Sequence, residues 1–173
     1  MKQGLTSLLV LAFVAAPLQA QSADVSVPAA KQLWQMFSGY VAQSAEDMPE
    51  AKYGYKPVAT VRSFGELIGH VAGSQNMLCA AALGEPAPAE DAVEKAATSK
   101  AALVAAIKAS NAYCAKAYAQ SDASARTAAD VFGSKSTRLY ALLMNASHDA
   151  EHYGNIITYL RMNGMVPPSS RGQ

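Results

Sequence analysis

The sequence predicts an all-α protein, a four-helix bundle with long connections. Three observations carry that expectation. Apolar residues recur at helical spacing in four separate segments. Proline- and glycine-containing breaks fall between those segments. Alanine is abundant while runs of β-branched residues are few, which favours helix over sheet.

The first helix is expected from Pro28 to about Asp47, with Leu33, Trp34, Phe37, Tyr40 and Val41 at helical spacing. Pro28 suits a first turn, because its missing N–H would have no helical partner there, and Pro49 ends the pattern. A Tyr- and Pro-containing loop follows, Met48 to Ala59. Ser63 with Glu66 reads as a capping box that opens a second helix, running to about Leu83, where Gly84, Pro86 and Pro88 stop it. The third helix begins somewhere between Asp91 and Ser99 and runs to about Gln120, with Leu103, Ile107, Cys114 and Tyr118 as its stripe. A polar stretch, Ser121 to Gly133, leads to the last helix, about Ser134 to Asn163, with Gly164 as its C-terminal cap. From about residue 165 the chain reads as a loose tail. There is no repeat of fixed period.

The chain begins Met1-Lys2, continues with the apolar run Leu8 to Ala16, and reaches Pro17-Leu18-Gln19-Ala20. This order describes a secretory signal peptide, residues 1–20, removed after Ala20. The run is too short to span a bilayer, which takes roughly 20 apolar residues. Residues 21–173 then suit one domain with a single core. The expected location is the periplasm or the exterior, with no stable membrane insertion after cleavage. Export is a setting in which Cys79 and Cys114 can pair, although a disulfide and two buried thiols both fit the sequence. The net charge is +1 and the basic residues are scattered, so no footprint for nucleic acid is seen. A homodimer is left open.

Chemistry concentrates in the three histidines. His148 and His152 lie four residues apart, one helical turn, so both rings can face a single ion. Asn145, Asn155 and Tyr159 share that side of the helix and are candidates to line the site or hold the ligands. His70 falls on the second helix with Leu67, Ser74, Met77 and Ala81, also an inward stripe by helical arithmetic. A histidine pair on one helix is more often an ordinary face, and a lone histidine on an apolar stripe is more often a core residue. Three histidines all directed inward, in a chain that has no other, balance those readings against a shared metal site. Neutral imidazoles suit Zn, Ni or Fe in the divalent state, and three of them leave positions open for water or substrate. Cys79 falls opposite His70, away from such a site.

The segment Ser63-Phe64-Gly65-Glu66-Leu67-Ile68-Gly69-His70-Val71-Ala72, the run His148-Asp149-Ala150-Glu151-His152-Tyr153-Gly154-Asn155, and Tyr159-Leu160-Arg161 before Gly164 resemble the DinB/YfiT-like family. The resemblance covers nearly all of residues 21–173. It implies a four-helix bundle in which a histidine of the second helix and an H-x3-H pair of the fourth hold one divalent transition-metal ion. His70, His148 and His152 match all three positions. Some members of the family are thiol transferases, others isomerases or hydrolase-like proteins. The resemblance therefore implies a metalloenzyme that activates a thiol or water on a small-molecule substrate. A non-catalytic metal- or small-ligand-binding protein is the competing expectation. The export signal departs from the family's better-understood cytoplasmic members, and the substrate is undetermined by the sequence.

Overall fold

The computed structural model describes residues 23–172, so the expected signal peptide lies outside the described residues. Four long helices make the bundle: α1 (Ser26–Asp47), α2 (Phe64–Leu83), α4 (Lys100–Ala117) and α6 (Arg138–Met162). Between them lie two short helices, α3 (Ala92–Ala96) and α5 (Asp122–Ala125), and a hairpin of β1 (Ala128–Val131) and β2 (Ser134–Thr137). α6 packs between α1 and α2, and α4 closes the ring against α2 and α1. The all-α bundle expected from the sequence is the fold found.

Each boundary has a local cause. The capping box opens α2 as expected: Glu66 N–H donates to Ser63 Oγ, and the Ser63 N–H donates to the Glu66 carboxylate at 2.6 Å. Gly84 ends α2 in the left-handed region, φ 76°. α4 starts at the late end of its expected window because Ser99 caps it, accepting from the Ala102 N–H. α6 starts later than expected. Thr137 is its cap, and residues 134–137 are an antiparallel strand instead of a first helical turn. Phe132 and Gly133 both take positive φ, 54° and 75°, the two-residue turn that matches the natural twist of a hairpin. Helix α1 is capped from far away. Asp122 accepts the N–H groups of Val25, Ser26 and Val27 at 2.8–2.9 Å, and Asp24 accepts the Asp122 N–H in return.

The core has two halves. One gathers Phe64, Ile68, Leu103, Ile107, Ile156 and Leu160 around the N-terminal half of α2 and the C-terminal part of α6. The other gathers Trp34, Leu78, Tyr118 and Leu142, with Trp34 stacked on Tyr118 at 4.5 Å. Leu33, part of the expected apolar stripe, faces outward. Within the second half a disulfide joins Cys79 of α2 to Cys114 of α4, their Cα atoms 5.3 Å apart. The residues after Gly164 do not form the loose tail expected. Pro168 is buried, Ser169 meets the Tyr153 hydroxyl, and Arg171 pairs with Asp47 at the end of α1. None of the helices among the described residues is long and apolar enough to cross a membrane.

Candidate metal centre

α2 and α6 pack side by side, and that contact brings His70 against His148 and His152. His70 is 7% exposed, and the other two are half-buried. The Nε2 atoms converge. His152 Nε2 lies 3.0 Å from His148 Nε2 and 3.2 Å from His70 Nε2. One ring nitrogen of each residue falls within 4.8 Å of both others.

Whether these residues fit a metal can be tested on three counts. Nitrogens about 2.05 Å from a tetrahedral ion stand about 3.3 Å from one another, close to the spacings observed. The rings are neutral, as ligands must be. Burial pushes all three below the ordinary histidine range, and His148 is driven down to about 3 by burial, then by His152, His70 and Arg62. Of the outer nitrogens, His152 Nδ1 has a polar neighbour at hydrogen-bond distance, while Nδ1 of His70 and of His148 are buried without a hydrogen-bond partner among the described residues. The Asn155 amide sits 3.3 Å from His152 Nδ1, and an amide flip places its oxygen to accept that proton. A Glu94 carboxylate oxygen lies 3.9 Å from His70 Nδ1, where its charge favours a proton on that nitrogen. Three neutral imidazoles whose Nε2 atoms converge would be stabilised by a cation between them. The residues fit.

Glu94 reaches this position because α2 presents glycine to the connection between α2 and α4. A Cβ at Gly69 would stand 2.8 Å from Glu94 Cα, and one at Gly73 would collide with the Glu90 carbonyl oxygen. The close approach also brings the Glu90 carboxylate to 4.0 Å from His70 Nε2, where Ser74 Oγ donates to it at 2.8 Å. Glu94 in turn holds Arg62, whose Nε lies 3.1 and 3.2 Å from its two carboxylate oxygens. A cleft of about 750 Å³ reaches the centre at His152 and is bordered also by Lys56, Arg62, Glu94, Asn155 and Tyr159.

The other residues singled out from sequence fall as follows. Tyr159 is a buried aromatic that borders the cleft, and its hydroxyl donates to the Arg62 carbonyl at 2.6 Å instead of touching a histidine. Asn145 is fully buried but points away from the ligands, donating to the Tyr118 hydroxyl at 3.2 Å. It therefore does not hold a histidine: one turn before His148, it belongs to the second half of the core. In the Tyr- and Pro-containing loop after α1, Tyr53 donates to the Ala45 carbonyl and Tyr55 is set edge-on to Tyr159. Sequence reasoning missed Arg62, Glu90, Glu94 and Asp149. Asp149 is wholly buried, its carboxyl has no hydrogen-bond partner, and burial raises it well above the usual carboxylate range. Its place four residues after Asn145 was the available signal for an inward direction.

A helical bundle with three converging imidazoles, one of them bordering a cleft, defines a class of candidate metalloproteins. This chain belongs to the DinB superfamily, whose family model matches residues 30–156. No curated protein sequence matches it significantly. Among solved structures it is similar to a DinB-like protein from Bacillus cereus ATCC 10987, at 15% identity and a TM-score of 0.70, covering 82% of this chain and 95% of that one. A DinB-like protein of Bacillus subtilis, YjoA, is 21% identical with a TM-score of 0.64, covering 80% and 93%. A mycothiol-dependent maleylpyruvate isomerase is 18% identical with a TM-score of 0.60, covering 78% of this chain and 66% of that enzyme.

Proposed function

We propose that this protein is an exported metal-dependent enzyme in which His70, His148 and His152 hold one Zn, Ni or Fe ion and a thiol or water is activated against a small substrate. The observation that carries the reading is the convergence of the Nε2 atoms of His70, His148 and His152, with His152 opening on a cleft. When bound, the ion supplies Lewis-acid charge that favours thiolate or hydroxide at its open position. The protein's own residues do the rest. Burial favours the unprotonated imidazoles, the Glu94 charge lies 3.9 Å from His70 Nδ1, and the Asn155 amide lies 3.3 Å from His152 Nδ1. That one structural relative is by name a mycothiol-dependent isomerase supports the thiol option. The apolar amino-terminal run and the Cys79–Cys114 disulfide both support export.

Elemental analysis of protein purified from its native compartment, followed by a thiol-dependent activity screen of that metal form, tests the reading. One ion per chain is expected, lost in His152→Ala, with turnover on thiol–electrophile or ester and amide substrates. An ion without turnover across those panels, in protein that still takes up a ligand, leaves a metal- or ligand-binding protein. Absence of a stoichiometric ion, with metal content and thermal midpoint unchanged in His152→Ala, overturns both. Cell fractionation that recovers the protein in the cytoplasm overturns export.

A further inference from the structure

Arg62 is the cation nearest the histidine centre in effect, since its charge acts on all three rings. Its side chain is 44% exposed, and both its backbone and its guanidinium are engaged. The Tyr159 hydroxyl grips its carbonyl, Ser63 directly after it caps α2, and Glu94 engages its Nε from one edge. Those contacts use one donor of the guanidinium. The two terminal nitrogens, with four N–H groups in a planar fork, have no acceptor among the described residues, while Arg62 and His152 both border the same cleft. A guanidinium held in this way matches a carboxylate bidentately, which a flexible ammonium does not.

We infer that Arg62 is a specificity-determining residue that receives the carboxylate of a small anionic ligand, the other end of which reaches the histidine centre at His152. The inference rests on the proposed metal centre for what happens at that other end, and names the substrate class: a compact molecule bearing a carboxylate at one end and a thiol or other metal-seeking group at the other. Glu94 orients both halves, with its oxygens on Arg62 Nε and 3.9 Å from His70 Nδ1.

The test uses the full protein stripped of metal and titrated with Co(II), followed spectroscopically, which reads the metal centre by itself. Calorimetric titrations with 3-mercaptopropionate and with 2-mercaptoethanol, on the cobalt form or, if no cobalt is taken up, on the protein as it stands, then read Arg62. The carboxylate ligand is expected to bind about tenfold more tightly in the parent protein, the margin of a charge-assisted pair. Arg62→Gln is expected to erase that margin while Co(II) uptake is retained, and Arg62→Lys to restore only part of it. Equal affinity of the parent protein for the two thiols, or a margin that survives in Arg62→Gln or is undiminished in Arg62→Lys, overturns the inference. Loss of cobalt uptake with the Arg62-dependent margin intact overturns the metal centre and leaves the carboxylate site standing. Should Arg62→Gln not fold, the parent comparison and Arg62→Lys still decide.

Discussion

The carbonyl oxygen of Glu90 occupies the space that a side chain on Gly73 would need, so α2 and the connection that follows it meet backbone to backbone. That contact seats the two carboxylates beside His70, and it makes the glycine replaceable only at a cost. Gly73→Ala is expected to lower stability by about 1–3 kcal/mol, as overpacking does, and to weaken metal uptake. Gly154→Ala on the exposed face of α6 meets nothing within 4 Å and is expected to stabilise by about 0.5–1 kcal/mol through helix propensity. Urea unfolding of the two variants checks the opposite signs.

The Cys79–Cys114 bridge spans 35 residues of chain. Constraining a loop of that length in the unfolded state is worth about 4 kcal/mol in the chain-entropy description. Reduction, or the double variant Cys79→Ala with Cys114→Ala, is expected to shift the urea midpoint accordingly. Metal uptake by the folded protein is expected to be unchanged, because neither cysteine belongs to the histidine cluster.

Asp122 should make the amino-terminal end of α1 acid-sensitive. Its carboxyl is held down to about 2 by hydrogen bonds from the Val27, Ser26 and Val25 N–H groups. A group lowered in the folded state stabilises fully above its unfolded value, about 3.9, and loses that contribution as pH falls through the folded one. The stability gap between the parent protein and Asp122→Asn is therefore expected to be full at neutral pH and to close between about pH 4 and 2. Amide exchange at residues 25–27 reads the same event locally.

The histidine centre predicts a second acid window in the metal-free protein. His148 is held near 3 by burial and by its histidine neighbours, against about 6.5 when unfolded. Its contribution is present above pH 6.5 and disappears as pH falls toward 3, because the unfolded chain takes up the proton first. Imidazole proton resonances of His148 are expected not to titrate between pH 8 and 5. A His148→Asn variant should show a shallower loss of stability over that range.

The four long helices were legible because each carries its own signal: Ser63 with Glu66 for the start of α2, Gly84 for its end, the inward stripes for the rest. So was the direction of the three histidines, which needs only helical arithmetic. What escaped depends on paths through space. Glu94 and Arg62 stand on connections, 32 residues apart, and no periodicity announces that they meet. The hairpin escaped because β2 is the polar run Ser134–Thr137, which has no apolar alternation, and only the turn at Phe132-Gly133 marks it. The end of the chain looked loose because its anchors, Tyr153 and Asp47, lie 16 and 124 residues away.

The site is thus divided between two kinds of structure. The histidines stand on the bundle, whereas Lys56, Arg62 and Glu94 come from the two connections that flank α2. Such an arrangement is modular. The histidine floor can be inherited intact while the walls are rewritten by changes in loops that carry little of the core, so that new ligands are reached by exchanging loops and not by redesigning helices.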